Sequence, residues 1–160
     1  MEREPNQPRF QDIPPNARLV RFGGRVDRTT VSLRVFGDAL NPEEITKLLG
    51  HAPTKARRKD DVIPDKRYHR VANTGCWLLE SDTPEDVDVE EQILRLLQKL
   101  TADLEVWGRL ADEFQVDLFC GLFIDDFNRG FSLSSAVLQA MSERRLVIGF
   151  DIYCPVDTDH

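Results

Sequence analysis

Thr30-Val31-Ser32-Leu33-Arg34-Val35-Phe36, followed closely by Asn41-Pro42-Glu43-Glu44-Ile45-Thr46-Lys47-Leu48-Leu49-Gly50, decides the fold class. In the first piece Val31, Leu33 and Val35 alternate with Ser32 and Arg34, the period of a strand with one buried face. In the second, Asn41 is placed to accept a hydrogen bond from a free helix amide. Pro42 needs no donor at the first helical position, and Glu44 stands where a capping box closes. Leu40 and Ile45 occupy the staple positions, Ile45, Leu48 and Leu49 share a face, and Gly50 is a natural stop. A period of two therefore gives way to a period of 3.6 within a few residues.

Downstream the same switch recurs. Residues 75–80, with Cys76, Trp77, Leu78 and Leu79, read as a strand. From 88 to 112 the residues Ile93, Leu96, Leu97, Leu100, Leu104, Trp107 and Leu110 follow helical spacing, with Asp88 and Glu91 as a capping pair and Thr101 or Gly108 as points where the segment could divide. Residues 114–124 form the most strand-like run, with Val116, Leu118, Cys120 and Leu122 on one face. Asp125-Asp126-Phe127-Asn128-Arg129-Gly130 reads as a turn, and Phe131 to Leu133 as a strand pairing back. A helix over 134–143 shows Val137, Leu138 and Met141, and a last strand spans 146–154. The reading is a single α+β domain over 17–156: a two-layer sandwich in which the strands near 30–36, 75–80, 114–124 and 146–154 share a mixed or antiparallel sheet with helices on one face. Leu40 to Leu48 and Leu133 to Met141 echo each other. That echo fits duplicated β-α-β halves in a ferredoxin-like arrangement, or two helices capped by the same physics.

Upstream, residues 1–16 contain Pro5, Pro8, Pro14 and Pro15 and read as an extended or disordered tail, with Ala17 to Phe22 as a short strand turned by Gly23-Gly24. Met1 is followed by charged and proline-rich residues rather than an apolar leader, and no stretch approaches a membrane span, so a cytoplasmic protein is expected. The 160 residues, 41% hydrophobic and 31% charged, suit one globular domain. Cys76, Cys120 and Cys154 are odd in number and widely spaced, which argues against a disulfide framework and for buried, inert thiols. Charge is uneven: residues 1–72 carry net +5 and residues 73–160 net −12.

Several of these pieces, taken in order, resemble the bacterial domain-of-unknown-function family 4279. They are Val31 through Asp38, Asn41-Pro42-Glu43-Glu44-Ile45, Leu48-Leu49-Gly50, and Pro53-Thr54 ahead of a basic stretch. Trp77 in a strand, Phe131-Ser132-Leu133-Ser134 and Asp151-Ile152-Tyr153 complete the set, which covers roughly residues 28–154. The family's loop often carries a Lys-Gly pair after Pro-Thr, whereas here Lys59 is followed by Asp60. The resemblance implies an α+β fold and brings no assigned activity or catalytic residue.

For chemistry the residues offer little. His51, His69 and His160 lie far apart and no paired-ligand spacing occurs, so no metal and no cofactor is expected. The acidic turn at 125–130 lacks calcium-loop spacing, and no nucleophile motif is present, so no catalytic residue is assigned. Trp77 and Trp107 read as core. The segment 51–73 reads as a long loop, and its cations Lys55, Arg57, Arg58, Lys59, Lys66 and Arg67 are the binding candidates. The leading functional reading is a non-enzymatic protein-interaction module, of immunity or inhibitor type, whose acidic surface meets a basic protein. Its rival is a small anionic-ligand-binding or enzymatic domain using the basic loop 55–70. Net acidity argues against nucleic acid. A contiguous acidic face without a cleft would favour the first reading, and a pocket lined by the loop's cations the second.

Overall fold

The computed structural model describes residues 24–65, 67–125 and 128–154. The expectations for a tail over 1–16 and a strand over 17–22 lie outside these residues. The elements are β1 (Gly24–Arg25), β2 (Arg28–Gly37), α1 (Pro42–Leu49), β3 (Lys55–Arg57), β4 (Val62–Ile63), β5 (Arg70–Val71), β6 (Gly75–Glu80), α2 (Val89–Gln98), α3 (Leu104–Glu113), β7 (Gln115–Phe123), β8 (Arg129–Gly130), α4 (Ser135–Glu143) and β9 (Val147–Tyr153). Five strands form one mixed sheet in the order β3-β6-β2-β7-β9, antiparallel except for the β7–β9 pair. No helix among the described residues is long and apolar enough to cross a membrane.

Alternation in β2 sets the layers. Leu33 lies opposite Leu79 on β6 and Leu118 on β7, and Val35 opposite Trp77 and Val116. All are buried, together with Ile45 and Leu49 of α1, Ile93 and Leu96 of α2, Trp107 and Leu110 of α3, and Val137 and Met141 of α4. The helices thus share one face of the sheet. Each apolar side chain so enclosed contributes about 1.5–3 kcal/mol of transfer free energy. Both tryptophans are core, and each finds an acceptor: Trp77 Nε1–H donates to Thr46 Oγ1 at 3.0 Å and Trp107 Nε1–H to the Thr101 carbonyl at 2.9 Å.

Local signals work as the residue types dictate. Asn41 Oδ1 accepts from the Glu43 amide at 3.2 Å, and Gly50 ends α1 at φ 75°. A side chain at Gly75 would meet the carbonyl of its β2 partner Gly37 at 2.7 Å and the Leu40 Cβ at 2.9 Å, which is how tightly the loop before α1 folds over β6.

The helical run 88–112 divides around Thr101, one of the two dividing points read above, and Asp103 caps the new start by accepting from the Glu105 amide at 2.9 Å. Other expectations need correction. Asp88 makes no side-chain cap; its carboxylate turns to Arg25 Nε at 3.0 Å, and Glu91 pairs with Arg95 instead. The segment 51–73 is not a plain loop, since it carries β3, β4 and β5. Phe131 to Leu133 is not a strand. Arg129–Gly130 pairs in parallel with Gly24–Arg25, and the Phe131 ring packs on Phe150 at 5.1 Å. Leu138 faces solvent, and Cys154 is exposed while Cys76 and Cys120 are buried. The structure does not confirm duplicated halves built on the echoing helices: α1 joins β2 to β3, which run parallel on either side of β6, whereas α4 lies between β7 and β9, which are direct parallel neighbours. One buried polar group was invisible in the sequence: Gln92 Nε2 donates to the Thr29 and Val87 carbonyls, both at 2.9 Å, pinning the loop after β6 onto β2.

Candidate functional site

The short strand β3 settles which way the basic segment points. Its register is Lys55 to Leu78, Ala56 to Trp77 and Arg57 to Cys76. Trp77 faces the helices, so Ala56 does too, and Lys55 and Arg57 project from the opposite, helix-free face beside Leu78 and Cys76. The hairpin β4–β5 then supplies a second wall. A cleft of about 480 Å³ lies between them, with Lys55, Arg57, Cys76 and Leu78 on the sheet side and Asp61, Val62, Ile63 and Pro64 on the hairpin side.

The six candidate cations separate by position. Lys55 and Arg57 line the cleft, with Lys55 Nζ 3.6 Å from Glu80 Oε1. Arg58 turns away: its guanidinium donates to Glu43 Oε2 at 2.7 Å and Asn41 Oδ1 at 3.2 Å. Lys59 pairs with Asp38. These two tie the basic segment to the start of α1, and so hold the hairpin over the sheet. Arg67 is exposed and is not part of the cleft wall. Lys66 lies outside the described residues. Among the described residues, Arg57 is the cleft cation with no carboxylate partner.

Asp60 stands where the family loop often has glycine, and its φ is 68°. The turn is closed by the Asp60 amide donating to the Ala72 carbonyl at 2.8 Å and by the Arg58 amide donating to Asp61 Oδ2 at 2.7 Å. Aspartate tolerates this left-handed conformation better than most residues, but glycine does so without a Cβ penalty. Asp60→Gly is therefore expected to stabilise the protein by about 0.5 kcal/mol, raising Tm by roughly 1–2 °C. A lowered Tm on thermal denaturation would contradict this description of the turn.

Electrostatics around the segment follow from the pairs. The hydrogen bond from Lys59, and then that from Thr74, hold the Asp38 carboxyl below its ordinary range; Arg58 does the same for Glu43. Elsewhere, the Asp125 amide and then Arg129 lower Asp27, and Lys99 lowers Asp82. A carboxylate whose folded pKa is depressed stabilises fully above its ordinary value and stops doing so as pH falls through the folded value. Tm is thus expected to be nearly flat from about pH 7 to 5 and to drop below roughly pH 4. The double variant Asp38→Asn/Glu43→Gln should lose part of that acid sensitivity in melts recorded across pH. An acid limb identical to wild type would show that these pairs do not hold the segment. In the cleft itself, burial pushes the Cys76 thiol up, opposed by Arg57 and Arg34, so the sulfur stays a neutral part of the wall.

The rest of the helix-free face is closed to anions. Arg34 donates twice to the Asp117 carboxylate, at 2.7 and 2.8 Å, with its guanidinium 4.3 Å from the Phe119 ring centre. A neighbouring cleft of about 470 Å³ has that satisfied arginine and the carboxylates of Glu80 and Glu85 in its wall. Another, of about 430 Å³ at the start of α2, is walled by Asp88, Glu90 and Glu91. Among the described residues no group of three metal-ligating side chains comes together. The charge pattern of Lys55-Ala56-Arg57 was legible in the sequence; its partners Cys76, Leu78, Val62 and Ile63 were not, because only the pairing of β3 with β6 and the hairpin's return bring them near.

Fold and site together define a two-layer α+β domain that carries a cationic cleft on the uncovered face of its sheet. The chain belongs to the family described as domain of unknown function DUF4279, which matches residues 27–155. No curated protein and no solved structure matches it.

Proposed function

We propose that the chain is a binding domain that takes a small organic anion into the cleft between β3, β6 and the β4–β5 hairpin. One observation carries this reading: Arg57 brings an uncommitted charge into a walled, largely apolar cleft, the combination that small-ligand sites use. The alternative, recognition of a basic protein by an acidic face, draws less support. Asp82, Glu85, Asp88 and Asp112 are engaged by Lys99, Arg28, Arg25 and Arg145 of the same chain, which partly neutralises that surface.

Thermal melts test the proposal directly. Wild type and Arg57→Gln are melted with inorganic phosphate, sulfate, benzoate and hexanoate at low and high salt. A bound anion raises Tm by mass action. At least one of the organic anions should raise Tm of wild type, less so in Arg57→Gln and less at high salt. No shift with any anion, or equal shifts in the variant, would refute it.

A further inference from the structure

The cleft's charges are few enough to limit what its ligand carries. Lys55 is shared with Glu80, so a ligand meets one free guanidinium, Arg57. A guanidinium matches one carboxylate through two parallel hydrogen bonds. A second negative charge on the same head group would have to compete with Glu80 for Lys55. It would also meet Asp61, a residue of the hairpin wall whose Oδ2 already accepts from the Arg58 amide at 2.7 Å. The remaining lining is apolar: Val62, Ile63 and Pro64 on one side, Leu78 on the other. Val62 is 67% exposed, an unusual state for valine beside a concave surface, and it is available to be covered by a ligand body.

We infer that the cleft selects a monoanionic carboxylate on an apolar body, with Arg57 holding the carboxylate and Asp61 turning away doubly charged head groups. The inference rests on the anion-binding reading of the cleft and goes further, to the chemical class of the ligand. Short aliphatic or aromatic acids fit it; phosphomonoesters do not. Hydrogen bonds to a charged partner are stronger than neutral ones, so Arg57 supplies selectivity for the head, and the hairpin supplies affinity for the body.

Calorimetric titrations of the full chain with butyrate, pentanoate, hexanoate, hexanol and hexyl phosphate separate these contributions. Affinity should rise about fourfold per methylene along the acids. Hexyl phosphate should bind more weakly than hexanoate. Arg57→Gln should weaken hexanoate about tenfold or more while leaving hexanol unchanged, and Asp61→Asn should raise the affinity for hexyl phosphate. If hexyl phosphate matches or exceeds hexanoate in wild type and both depend on Arg57, the carboxylate assignment is wrong while the anion site survives. If no probe binds, or binding ignores Arg57, both fail. Arg57 is exposed and unpaired, so its variant keeps the fold; equal melting temperatures without ligand check that.

Discussion

Trp77→Ala is expected to remove about 3–5 kcal/mol of folding stability, the cost of emptying a site filled by a large aromatic residue. Trp77 has no solvent exposure and sits in β6 between β3 and β2, with its ring toward α1. The substitution opens a cavity under the helix layer and leaves the Thr46 hydroxyl without its donor. Against a total stability of about 5–15 kcal/mol, that is a large share. Tm should fall by on the order of 10 °C. Trp77→Phe keeps much of the volume and should cost about 1–2 kcal/mol. Because β3 is held by the same strand, Trp77→Ala should also loosen the cleft. A Tm within two degrees of wild type would mean that β6 does not occupy the centre of the core.

The second large effect concerns the uncovered face. Arg34 and Asp117 keep side-chain exposures of 27% and 12%, and the guanidinium is flanked by the rings of Phe119 and Phe36. Arg34→Met strands a poorly solvated carboxylate. Breaking a fully buried pair costs about 3–5 kcal/mol; with this much residual exposure about 2 kcal/mol is expected. Much of that cost is the unpaired charge and not the lost attraction. Arg34→Met/Asp117→Leu should therefore recover most of the loss, and a double-mutant cycle by denaturant unfolding measures it. A double variant as unstable as the single would contradict this, as would a single variant within 0.5 kcal/mol or so of wild type.

What the sequence made legible divides along physical lines. β2, α1, β6, β7 and β9 follow from periodicity because each has one apolar face long enough to show it. The division of 88–112 was harder to see, since Leu100 and Leu104 carry the apolar spacing across the break. The break is fixed by tertiary bonds, the Thr101 amide to the Leu49 carbonyl and the Trp107 indole to the Thr101 carbonyl. Leu138 obeys the helical period, yet α4 buries Val137 and Met141 and leaves Leu138 in water. β9 is an edge strand, and its alternating apolar face is only partly covered: Ile148 is half-buried, whereas Phe150 and Ile152 are exposed. The cleft was half legible. Its cations announced themselves by composition, but three residues of β3 give too short an alternation to read against Pro53 and the flanking charges. The division of labour among cations, with Arg58 and Lys59 anchoring and Arg57 left free, depends on Glu43 and Asp38, which only the fold brings against the segment.

Backbone amide mapping shows where on the sheet hexanoate binds. Uniformly ¹⁵N-labelled protein is titrated with hexanoate and the amide shifts are followed. Saturable shifts are expected to cluster at residues 55–57, 61–63, 76 and 78 and to be abolished at the same hexanoate concentrations in Arg57→Gln. Shifts centred on α2, on β9 or on the Arg34–Asp117 pair would contradict it, as would shifts at the cleft that persist unchanged in Arg57→Gln.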